Sequence, residues 1–140
     1  MNGSLVVAAH LLTTFAMVGV IWFVQIVHYP MMASFDRENF ASHEKEHCDR
    51  TGWVVVPLML VEIFTFALLL IEGIRSNAFL ISGLLLGVIW ASTFLIQVPL
   101  HRRLLRGWNA RQHQRLVTTN WIRTAAWTGR GLLLSWIWTA

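Results

Sequence analysis

Charged side chains are scarce in this sequence, with eleven Lys or Arg and seven Asp or Glu among 140 residues. A soluble domain carries about twice that share, so a surface wetted on every side is excluded. The single cysteine, Cys48, cannot form an intramolecular disulfide and fits a reduced thiol. A cleavable leader is not expected, because MNGSLVVAAH has no basic residue and the apolar run continues past any small-residue cleavage site. No phosphate-loop or dinucleotide fingerprint and no C-x-x-C-H haem-attachment motif occurs, and no Ser/His/Asp constellation has support. Cys48 adjoins His47, but neighbouring residues on a helix point in different directions.

What is abundant is apolar: 56% of the residues are hydrophobic and the mean hydropathy is +0.56. Four segments, at about 4–28, 53–74, 78–100 and 119–138, reach the roughly 20 helical residues that cross a hydrocarbon core. Residues 5–24 and 78–96 have no polar face, which argues against a soluble helical bundle. The expected fold is all-α, a single integral membrane domain over residues 1–140. Its four transmembrane helices run up-down-up-down, with short amphipathic interfacial segments between helices 1 and 2 and between helices 3 and 4.

Basic residues are distributed unevenly. Arg37, Lys45, Arg50, Arg102, Arg103, Arg106, Arg111 and Arg115 fall in the two longer connections, against Arg75 alone in the short RSN turn. The positive-inside rule then puts both long connections in the cytoplasm and both termini outside. The formal net charge of +4 follows from this topology and from anionic lipid nearby. Membrane lipids are therefore the expected partners of the arginines, and no nucleic-acid module is present.

Along the first helix, His10, Thr14, Met17, Ile21, Gln25 and His28 recur at three- and four-residue steps and should face inward. Pro30 is expected to end that helix at Tyr29. ENFASHEKEH reads as an amphipathic helix lying in the interface, with His43 and His47 one turn apart, and Gly52–Trp53 as the re-entry point. Gly83, Gly87, Trp90, Phe94, Gln97 and His101 form a stripe on the third helix, where G-x-x-x-G admits a close neighbour within the bundle or in a homo-oligomer. The fourth places Asn120, Arg123, Trp127 and Arg130 on one face.

Glu62 lies nine residues beyond Trp53, roughly 13 Å below that interface, and Arg130 lies nine beyond Trp121. Ionised groups at such depth need partners. GVIW occurs at 19–22 and again at 87–90, and the same offset relates Trp53 to Trp121 and Glu62 to Arg130. Either an internal duplication or chance in a biased composition accounts for the match. A buried Glu62–Arg130 pair and a metal-ligating Glu62 are both open on this evidence.

Imidazole and carboxylate ligands suit Fe, Cu, Mn or Zn. His28, His43, His47, Glu62 and His101 are the candidate ligands, with Glu62 also a candidate proton acceptor. Asn120 and Arg123 would orient a carboxylate or a substrate oxygen. A b-type haem held between His28 and His101 is the alternative cofactor. His113, among arginines, is expected at the surface, and His10 packed near the outer end.

The blocks HYPMM, H-x-x-x-H, WVVVPLMLVE, VPLHRRLLRG and TNWIRTAAWTGRGLLL, in this order, resemble a group of uncharacterised bacterial four-helix membrane proteins. More remotely, VP-x-H-x-x-L followed by NWIR is similar to anthrone-oxygenase-like small membrane proteins, in which asparagine stands where this chain has His101. Through His10 and the YP end of helix 1 there is a further likeness to four-helix haem-binding protoporphyrinogen oxidases. The resemblances imply a bacterial inner-membrane protein. Together with the histidines they point to a metal-dependent oxidoreductase acting on a lipophilic, aromatic or quinone-like molecule, with a haem protein or a non-catalytic membrane subunit as alternatives.

Overall fold

Residues 3–139 are described here by a computed structural model, and every structural statement below refers to them. They are helical almost throughout. Three helices are long and apolar enough to cross a membrane: α1 (Ser4–Ser34), α2 (Phe40–Ile71) and α3 (Asn77–Leu104). A further long helix, α4 (Ala110–Thr139), is less apolar because its inner face carries Arg123 and Arg130.

The helices run longer than their apolar stretches. Residues 40–52, expected to lie along the interface, instead extend α2 straight beyond it, and Gly52–Trp53 is not a re-entry point. The inner face explains this: Glu44, Cys48, Thr51, Val55, Met59 and Glu62 follow one another at three- and four-residue steps without a break in phase. The second connection shrinks likewise, because α3 continues to Leu104 and α4 begins at Ala110. The two intervening turns that need left-handed backbone use glycine, Gly73 with φ 95° and Gly107 with φ 126°. Ser76 caps α3, accepting from the Phe79 N–H at 3.3 Å.

Pro30 does not end α1. A π-helical turn, Val24–His28, precedes it, and a second, Thr93–Gln97, precedes Pro99 in α3. A proline in a regular helix clashes with the carbonyl four residues back, here Ile26 or Leu95. Widening the turn moves that carbonyl away, so the helix passes through. The two π turns stand at nearly the spacing of the two GVIW strings.

The interior is polar and the exterior apolar. Trp53, Ile71, Leu84 and Leu95 are 73–84% exposed, whereas His10, Thr14, Gln25, Glu44, Glu62, Ser82, Asn120 and Arg130 are buried. This is what a hydrocarbon solvent selects, since every polar group there must find its partner inside the protein. Polar layers alternate with three apolar clusters, centred on Tyr29 and Leu104, on Met17 and Trp127, and on Phe79 and Leu134.

The inward stripes expected on α1 and α4 are buried, except that His28 at the end of the α1 stripe is half-buried. On α3 the buried face is Phe79, Ser82, Leu86, Ile89, Gln97 and Leu100, while Gly87 and Phe94 face outward. The π turn shifts the phase between its two halves. Gly83 meets α2, where a Cβ would clash with the Phe66 ring, and Gly87 faces open space. Gly83→Ala is expected to destabilise by about 1–3 kcal/mol through overpacking, and Gly87→Ala to change stability by less than about 1 kcal/mol. Unfolding of the two variants in detergent compares them directly.

Packing around the bundle is unequal. α1 packs on α2 and on α4, and α4 packs on α3. α2 meets α3 through residues 98–104 at one end and through Phe66 on Phe79 and Gly83 at the other, leaving the middle of that seam open.

Candidate metal centre and pocket

In the open seam lies a cavity of about 460 Å³, walled mostly by apolar side chains such as Met17, Val55, Met59 and Trp90. Its polar groups include Tyr29, His47, Cys48, Gln97, His101 and the buried Arg123, with the exposed Arg102 also on the lining. Val56, Leu60 and Phe94 on its walls are themselves exposed, so the opening is lateral, toward what the outer surface identifies as the lipid side.

At the end of the cavity nearest the two charged connections, Glu44, Cys48 and His101 bring one ligand atom each within 4.8 Å of the others. Glu44 is fully buried, and its Oε1 lies 2.5 Å from His101 Nδ1 and 3.6 Å from Cys48 Sγ. Its second oxygen, Oε2, is buried with no partner. A carboxylate only accepts, so His101 Nδ1 donates to Glu44, and His101 Nε2 is hydrogen-bonded with the Tyr29 hydroxyl at 2.9 Å. His47 and Cys48 lie before Trp53, outside the apolar stretch of α2. Burial, reinforced by His101 and His28, pulls the His47 imidazole down to about 4, which leaves it neutral. Burial and then the Glu44 carboxylate push the Cys48 thiol up to about 12, so without a cation beside it this is an unreactive thiol.

Of the histidines named from sequence, His101 belongs to this group and His28 and His47 stand beside it. His28 and His47 stack at 4.3 Å between ring centroids, and His47 lies 5.4 Å from His101. His28 Nε2 is buried and unpaired. His43 is not brought in; it is exposed and packs on Phe35. Nor is Glu62. Fifteen residues of unbroken helix separate it from His47, about 22 Å along the axis, too far for one ion to bridge.

Glu62 instead meets Arg130 at 3.2 Å, both fully buried. Thr14 and Trp127 donate to the two Glu62 oxygens at 2.8 and 3.2 Å, and Arg130 donates to the Ser82 carbonyl at 2.7 Å. His10 is packed against this pair, bonded to Thr65 at 2.8 Å and 3.4 Å from Arg130. His113, expected at the surface, is buried and its Nε2 donates to the Tyr29 carbonyl at 2.7 Å. The extended start of α4 carries it inward beneath Trp108.

Asn120 and Arg123 form a layer between the two charged groups. Asn120 donates to Gln25 at 2.9 Å and accepts from Arg123 Nε at 2.8 Å, and Arg123 Nη1 donates to Thr93 at 3.3 Å. Sequence reasoning does not find Glu44, because an interfacial ENFASHEKEH helix directs attention to the face of His43 and His47. The signal was present in Glu44-x-x-x-Cys48, continuous in phase with Thr51 and Val55.

No family model, curated protein or solved structure matches this chain.

Proposed function

We propose that the chain is a four-helix integral membrane protein of a bacterial inner membrane. Its helices alternate in direction, with both termini outside and the Glu44 end in the cytoplasm. It holds a transition metal among Glu44, Cys48 and His101 and uses it in redox chemistry on a lipophilic, aromatic or quinone-like molecule admitted through the α2–α3 seam. One observation carries this reading: a carboxylate, a thiol and an imidazole converge, with a buried carboxylate oxygen unpaired, at one end of an apolar cavity.

The donor set fits Fe, Cu or Zn, since thiolate and imidazole suit all three. Redox chemistry requires Fe, Cu or Mn, because zinc has one accessible oxidation state. A bound cation would also favour the Cys48 thiolate. His47 stands near enough to His101 to supply a further neutral imidazole. The b-type haem alternative has weaker geometric support, because His28, which would hold it with His101, is stacked on His47. A non-catalytic subunit is the second reading, favoured by Glu44 and His101 satisfying each other without a metal.

The test is elemental analysis with an absorption spectrum on protein purified in mild detergent without chelators. About one equivalent of metal without a Soret band is expected, and its loss in His101→Ala. A Soret band supports the haem reading. Metal that survives in His101→Ala refutes the site, and neither metal nor haem after reconstitution supports the scaffold.

A further inference from the structure

Two arginines reach the interior from the same face of α4, and they differ in one respect. Arg130 has the Glu62 carboxylate beside it. Arg123, 8% exposed, has no carboxylate partner among the described residues. Its hydrogen bonds go to the neutral side chains of Asn120 and Thr93, it lies beside the Tyr29 phenol, and the Trp127 ring is 5.9 Å away. A guanidinium stays charged at any physiological pH. Buried without a counter-ion, it is a costly arrangement for a protein to hold.

Arg123 also lines the apolar cavity. Two further polar groups on the cavity wall are left open: Trp90 Nε1, a buried donor, and Gln97 Oε1, a buried acceptor on a residue 1% exposed. The Gln97 amide nitrogen is already used by Thr119 at 3.0 Å, which fixes the orphan as its oxygen. The cavity therefore offers one buried uncompensated positive charge, Arg123, with polar groups around it and the solvent-exposed Arg102 also on its lining, on walls that are otherwise mostly apolar.

We infer that the cavity binds an anionic amphiphile, a molecule with one oxyanion head on an apolar body, and that the head pairs with Arg123. A carboxylate on an alkyl chain and an ionised phenol or hydroxyquinone share this chemistry. The inference rests on the proposed role of the cavity as the site of a lipophilic molecule and narrows its class; it does not rest on the metal. Arg123 acts here as the specificity-determining residue. A neutral ester or ether of the same body lacks the charge that compensates the guanidinium.

The experiment uses full-length protein in nanodiscs of zwitterionic phosphatidylcholine, treated with chelator so that metal plays no part. Three probes are titrated: dodecanoate, its methyl ester, and an alkylated hydroxynaphthoquinone that is coloured when ionised. The acids are expected to bind at least about tenfold more tightly than the ester, the range of a hydrogen bond to a charged group. The preference should disappear in Arg123→Gln and persist in Arg123→Lys, with both variants checked for monodisperse elution. Should Arg123→Gln not fold, Gln97→Leu and Trp90→Phe provide the second arm and should lower acid affinity with the ester unaffected. Tighter binding of the quinone than of dodecanoate assigns an aromatic head, and the reverse assigns an alkyl carboxylate. Equal affinity for acid and ester in the wild type overturns the inference while leaving a lipophilic pocket. Absence of binding by all three probes refutes the pocket reading itself.

Discussion

Arg130→Met is expected to lower the stability of the bundle by about 3–5 kcal/mol, the usual cost of stranding one member of a buried ion pair. Glu62 would keep the donors Thr14 and Trp127, but a carboxylate with two neutral donors and no cation remains an uncompensated charge. Glu62→Gln strands Arg130, whose Nε is already unpaired and whose bond to the Ser82 carbonyl does not neutralise it. Removing both charges together should recover most of what either single change loses, because a pair replaced by neutral groups carries no residual ion. A double-mutant cycle on unfolding in detergent measures this. Additive losses in the double variant would mean that the two residues stabilise the bundle through other contacts.

Loss of metal binding in Glu44→Gln is the second large effect. The amide keeps the size of the carboxylate and can still accept from His101 Nδ1, so the local packing survives. It removes the negative charge and offers only a weak ligand oxygen. Even partners that merely orient a ligand are worth about 10–100-fold in metal affinity, and a direct carboxylate ligand should exceed that, giving at least about 100-fold. Competition against a chromogenic chelator reads it. Unchanged affinity in Glu44→Gln together with a loss in His47→Ala would move the site toward the stacked His28–His47 pair.

The two charged groups have different roles because they sit at different depths. Glu62 and Arg130 are held among donors that use their polar atoms within the bundle, and neither lines the cavity. Glu44 also belongs to the interior, yet it is close to the charged connections, has a free oxygen and adjoins Cys48. Only the second arrangement leaves a place for an ion.

The seam between α2 and α3 has a similar origin. If the two halves were arranged with full equivalence, α1 against α4 and α2 against α3 would be matching interfaces. The first is closed and the second is not. The cavity occupies the difference, and Arg123 and Trp127 of α4 reach its wall through the gap.

Much was legible in the sequence. Scarce charge and long apolar runs determined a helical protein with membrane-spanning helices, because composition and element length are properties of the chain alone. Helical phase determined the buried faces of α1 and α4, and equal depth below Trp53 and Trp121 pointed to the Glu62–Arg130 pair now found at 3.2 Å. Tertiary structure alone decided which side chains meet across helices. Whether α2 bends at Gly52 or runs straight to Phe40 moves Glu62 about 22 Å from His47 and brings Glu44 to His101, and Gly52 permits either course. The π turns before Pro30 and Pro99 shift helical phase by an amount that residue spacing does not reveal. The open seam, and with it an arginine that has no carboxylate, depends on how two helix pairs dock, a sum of many small contacts that no single stretch of sequence encodes.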